Sequence, residues 1–135
     1  MRIAIVSAPA ARSQPPDYVK SLAKGMQSMG HNVDILDAWT ENGMKLPAYD
    51  YVAVAAEPLA FFSGKIAECV TKILSAGSSL LGKRSAAFVK KKGLFTNRAL
   101  ANLMIAMEKE GMRINWSDIL LGDEHAQALG KKIGS

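Results

Sequence analysis

Apolar and β-branched positions fall into five short runs separated by helical stripes. Arg2 to Val6, Asn32 to Leu36, Tyr51 to Ala55 and Ala86 to Val89 read as strands, and Met112, Ile114 and Trp116 alternate with Arg113 and Asn115 as a fifth. Between the first two strands, Val19, Leu22, Ala23 and Met26 recur at spacings of three and four and share one helical face. Pro16 and Asp17 supply its start and Gly30 its end. Ile66, Cys69, Val70, Ile73 and Leu74 form a second stripe closed by Gly77, and Leu100, Leu103, Met104 and Met107 form a third closed by Gly111. A weaker stripe, Ala126, Leu129 and Ile133, ends the chain. Strands alternating with amphipathic helices imply parallel pairing, because each crossover needs about a dozen residues and packs back over the sheet. The expected class is therefore α/β. Asp37 to Tyr49 breaks the rhythm with Asn42-Gly43 and Pro47 and reads as a loop or short irregular turn, and Ser75 to Gly82 is a small-polar connection.

At 135 residues, with 49% apolar and 21% charged positions, the chain has the length and composition of one folded domain, 1–135. No apolar run approaches the roughly 18–20 residues that span a bilayer, and the opening apolar stretch is too short for a signal-peptide core, so a cytoplasmic protein with no membrane partner is expected. One cysteine, Cys69, excludes an internal disulfide, and with His31 and His125 it offers no zinc spacing. The net charge of +5 inclines the chain toward acidic or phosphorylated partners, with Lys83, Arg84, Lys90, Lys91 and Lys92 clustered. A nucleic-acid partner would need one continuous basic stripe and is not expected.

In an open parallel sheet, ligands bind beyond the carboxyl ends of the strands, at the point where strand order reverses. The segments in question are Ser7 to Pro16, Asp37 to Ala48, Glu57 to Gly64, Lys90 to Asn97 and Ser117 to Glu124. The first lacks the glycines of a dinucleotide fingerprint, and no P-loop is present. A phospho-acceptor receiver would need acids where Ser7 and Ala56 stand. No Ser-His-Asp set can be assembled, so no catalytic residue is assigned. Cys69 lies on an apolar stripe and reads as a buried thiol, while His125 beside Asp123 and Glu124 reads as the start of the last helix. Trp39, after the second strand, is a candidate lid over the crevice.

Tyr49 to Pro58, Phe61-Phe62-Ser63-Gly64-Lys65-Ile66 and Leu81 to Val89 together resemble the short-chain flavodoxins across nearly the whole chain. The resemblance implies a three-layer α/β/α sandwich with a five-stranded parallel sheet in order 2-1-3-4-5. It also implies flavin mononucleotide (FMN) bound by three loops, the first of which, S/T-x-T-G-x-T, wraps the phosphate with backbone amides and a helix N-terminus. Only Ser7 keeps that motif: Ala8 follows, Pro9, Pro15 and Pro16 lack an N–H, and Asp17 adds negative charge. Arg12 and Ser13 are the compensating candidates.

In the second loop, Pro58 and Gly64 match the family, Leu59 lies beside them, and Glu57 replaces a residue that is usually small. Phe61 or Phe62 either lies against the flavin ring or packs in the core and over the sheet edge. In the third loop, Lys90, Lys91 and Lys92 precede Gly93, where the family has small residues. These lysines either attract an anionic ligand or acidic protein, or are simply solvated. Two functions are therefore expected in competition. One is an FMN-binding electron carrier or flavin-dependent reductase with a weakened phosphate loop. The other is a flavodoxin-like domain that has lost FMN and binds another anionic ligand or a protein.

Overall fold

The computed structural model describes residues 1–76 and 79–133. Its elements in chain order are β1 (Arg2–Ala8), α1 (Asp17–Ser28), β2 (Asn32–Asp37), a 3-10 turn (Gly43–Ala48), β3 (Tyr51–Ala56), α2 (Cys69–Ser75), β4 (Arg84–Lys90), α3 (Thr96–Lys109), β5 (Arg113–Leu120) and α4 (Asp123–Gly130). All neighbouring strands are parallel in the order β2-β1-β3-β4-β5. This is the α/β/α sandwich expected from the sequence.

The period of two along each strand sorts the core into two layers. Ala4, Val6, Ala8, Val52, Val54, Ala56, Ala87 and Val89 face α2 and α3. Ile3, Ile5, Tyr51, Ala53, Ala55, Ala86 and Phe88 face α1 and α4. Because both faces are covered, β3 is buried at every position, as its unbroken YVAVAA run suggests.

Two elements depart from the sequence reading. The second apolar stripe begins at Ile66, but α2 begins only at Cys69. Residues 59–65 close on themselves first, with the Leu59 N–H donating to the Lys65 carbonyl at 3.0 Å and the Lys65 N–H to Ser63 Oγ at 3.1 Å. Its expected stop, Gly77, lies outside the described residues. The fifth strand continues past Trp116 to Leu120, which pairs with Lys90, so the expected Ser117 to Glu124 loop shrinks to Leu121-Gly122. The alternation was obscured by a bulge: Ile114 pairs with Ser85 and Trp116 with Ala86, leaving Asn115 extra, with its side-chain oxygen accepting from the Tyr51 hydroxyl.

The weak final stripe makes a close packing contact that its apolar residues alone do not announce. A Cβ at Gly25 of α1 would fall 2.1 Å from the Gln127 carbonyl oxygen, and one at Gly130 of α4 would fall 2.3 Å from the Leu22 carbonyl oxygen. The two helices touch backbone to backbone at these glycines. Gly25→Ala and Gly130→Ala are each expected to destabilise the fold by about 1–3 kcal/mol through overpacking, measured as a lowered urea midpoint with an unchanged slope.

Candidate functional site

From β1 the chain moves outward to β2 and then crosses back past β1 to β3 on its other side, so the strand order reverses between β1 and β3. The register there sets Ala8 opposite Ala56. Pro9-Ala10 and Glu57 therefore leave the sheet side by side. The Glu57 carboxylate uses both oxygens across this gap: Oε1 accepts from the Ala10 N–H at 2.8 Å, and Oε2 accepts from the Tyr18 hydroxyl on α1 at 3.2 Å. Burial, reinforced by the Glu57 charge and hydrogen bond, pushes the Tyr18 phenol far above its ordinary pKa and keeps it a donor. Ser7, at the end of β1, is buried with its hydroxyl unpartnered.

The loops after β3 and β4 are fastened to each other. The Leu94 N–H donates to the Phe61 carbonyl at 3.0 Å, and Gly93, at φ +70°, lies so close to the Phe61 backbone that a Cβ would meet its carbonyl oxygen at 1.9 Å. Asn102 Nδ2 donates to the Gly64 carbonyl at 2.7 Å, and the Arg98 stem covers Gly64. Lys92 closes the β4 loop onto the first turn of α3, its N–H donating to Thr96 Oγ1 and its carbonyl accepting from that hydroxyl. Pro58 is buried, whereas Leu59, Phe61, Phe62 and Lys91 are exposed and Gly64, Lys90 and Gly93 are half-buried. Phe61 and Phe62 pack edge to face, with centroids 5.0 Å apart. Of the two placements open for this pair, core packing is thus removed.

On the β2 side, the Trp39 indole N–H donates to the Pro9 carbonyl at 3.0 Å. Trp39 is a strap between two loops rather than a free lid. It walls a cavity of about 600 Å³ with Leu59, Ala67, Glu68, Cys69 and Lys72. Arg12 and Ser13 lie in a separate shallow cavity of about 300 Å³ beside Asp37 and Thr40. The structure thus brings Ala8 beside Ala56 and Phe61 to Gly93, but sets Arg12 and Ser13 beside the β2 loop, on the opposite flank from the lysine loop. His125 caps the Leu121 N–H through Nδ1 at 3.1 Å. No cluster of three or more metal-ligating side chains occurs among the described residues, and no described helix is long and apolar enough to cross a membrane.

Sequence reasoning noted Glu57 only as an oversized replacement and missed Tyr18 as its partner. The signal was present in principle, because parallel register at the β1–β3 junction places the residues after both strands together. For the FMN that the resemblance implies, the phosphate cradle does not fit. The Ala10 N–H, at the motif's glycine position, is taken by a carboxylate, Pro9, Pro15 and Pro16 offer no amide, and α1 opens on Pro16 and Asp17 without a side-chain cap.

No family model matches the chain, and no curated protein matches it. Solved structures do. A flavodoxin from the domain Archaea superposes with a TM-score of 0.73 at 16% identity, covering 98% of this chain and 96% of that one. A short-chain flavodoxin associated with a non-canonical PDU bacterial microcompartment gives 0.73 at 16% identity over 100% of both chains. Oxidised Flavodoxin 1 from Bacillus cereus gives 0.71 at 14% identity, covering 96% of this chain and 95% of that one. The chain has the flavodoxin-like fold.

Burial, and to a lesser extent the Asp37 charge, raises the Cys69 thiol above its ordinary pKa. At pH 8 native protein is therefore expected to react with a chromogenic disulfide reagent more slowly than glutathione does. The rate should climb as pH rises toward the raised pKa, and unfolding in denaturant should bring it up to the rate of a free thiol.

Proposed function

We propose that this chain is a flavodoxin-fold docking module whose partner is an acidic protein, bound on the loops after β3 and β4. The observation that carries this reading is the apolar and basic face of those loops. Phe61 is 54% exposed, Phe62 72%, Leu94 66% and Phe95 37%, a set of large side chains presented together by the Phe61–Leu94 hydrogen bond. Contiguous exposed apolar groups of this kind mark interaction surfaces. Lys65, Lys91 and Arg98 are exposed on the same loops and the start of α3, with the Arg98 guanidinium 5.4 Å from the Phe95 ring centre. The loop residues 59–65 and 90–98 contain five Lys or Arg and no Asp or Glu. Aromatic anchors within a one-sign field suit a partner with carboxylates around an apolar patch.

FMN-dependent electron transfer is the second reading. The likeness to flavodoxins and the exposed aromatic pair after β3 favour it. Against it stand the Glu57 carboxylate bonded to the first loop's Ala10 N–H and the direct bond between the two loops that the resemblance assigns to the ring.

Affinity capture from extracts of the source cells tests the docking reading, with wild type beside two variants, Phe61→Ser/Phe62→Ser and Lys90→Glu/Lys91→Glu/Lys92→Glu. The expected result is an acidic protein whose affinity falls about tenfold or more in either variant and weakens with salt for wild type. Capture that is unchanged in both variants, or a basic protein captured through this face, would remove the proposal.

A further inference from the structure

We infer that the β1–α1 loop is an oxyanion site whose occupant is the chain's own Glu57 carboxylate. Two donors from different elements, the Ala10 N–H and the Tyr18 hydroxyl, converge on the two oxygens of one carboxylate at 2.8 and 3.2 Å. Such pairing is the geometry of anion recognition rather than of a solvated surface acid, and charge-assisted bonds of this type are the stronger ones. Tyr18 is only 5% exposed and belongs to the buried cluster between α1, α4 and the sheet, so its donor is fixed in place. Ser7, 1% exposed and one residue before the end of β1, carries a buried hydroxyl with no partner of its own just ahead of this loop.

A carboxylate and a phosphate monoester present the same O–X–O edge to a pair of donors. Glu57 therefore acts as a specificity-determining residue. It fills the donors and places a negative charge where an incoming phosphate would sit, so free phosphate monoesters are excluded by occupancy and by repulsion. Its position follows from backbone register, since Ala56 pairs with Ala8 and the buried Pro58 follows it. The carboxylate thus needs no partner molecule to stay in the cradle. This inference is independent of the docking reading, because the face bearing Phe61 and Phe62 is not part of the cradle.

The test is inorganic phosphate binding, followed by calorimetry and by thermal unfolding against chloride at matched ionic strength. Wild type is expected to show no saturable binding. Glu57→Ser is expected to bind phosphate in about the millimolar range, and its Tm should rise by about 3–5 °C at a few times that concentration, beyond any rise in wild type. Adding Tyr18→Phe should weaken the gained binding. Equal binding by wild type and Glu57→Ser, or a folded Glu57→Ser that ignores phosphate, would overturn the inference. A second measurement needs no variant: in wild type the Ala10 amide proton should lie downfield, where a short bond to a carboxylate oxygen puts it. An Ala10 resonance at the position of a solvent-bonded amide would equally overturn the inference.

Discussion

The carboxylate of Glu57, held between a loop amide and a buried phenol, ties together the three elements that meet where the sheet changes direction. It stands one residue beyond β3, and its two partners stand two residues beyond β1 and in the first turn of α1. This meeting depends on parallel register. Were β3 to slip by one residue against β1, every β3 side chain would change face, and Tyr51 and Ala53 would leave the α1 layer that they share with Ile3 and Ile5. The hydrophobic sorting of the strands thus places the carboxylate, and the carboxylate in turn determines what the first loop is free to hold.

Around this point the carboxyl edge is closed by the chain's own groups. Trp39 fastens the β2 loop to Pro9, the Phe61 carbonyl takes the Leu94 amide, and Asn102 takes the Gly64 carbonyl. These main-chain groups are paired internally, as buried main-chain groups require, and of the polar side chains at the junction the Ser7 hydroxyl is left without a partner. What the loops after β3 and β4 present outward is hydrophobic and cationic, with Phe61, Phe62 and Leu94 beside Lys65, Lys91 and Arg98. That balance favours recognition of a surface over enclosure of a small anion in the first loop.

The alternation of strands and stripes made the α/β class legible, because burial on two faces writes unbroken apolar runs into β1 and β3 and one-sided burial writes a helical stripe into α1, whereas the strand order and the two helical layers were implied by the resemblance to the flavodoxins. Edge elements were less legible. At β5 the bulge at Asn115 interrupts the period, and at α2 the self-closed 59–65 loop delays a helix whose stripe starts at Ile66. The glycine contacts between α1 and α4 were invisible for a different reason, since absent side chains leave no hydrophobic signal. For the site, Ser7, Pro9 and the loop positions were picked out as candidates by their place in the fold and by the resemblance to the flavodoxins. The bond from Glu57 to Tyr18 was not, because it joins residues 39 apart in sequence through a side chain whose reach only the packed structure reveals.

The most direct measurement is the visible absorption spectrum of the purified protein, followed by titration of flavin fluorescence with added protein at constant FMN. Occupation of the first loop by Glu57 predicts a colourless protein and no saturable quenching up to about 100 μM protein, a range that would expose any Kd of biological use to a carrier. A yellow protein, or saturable quenching at micromolar concentrations, would contradict the account by showing that FMN displaces the carboxylate or binds without that loop.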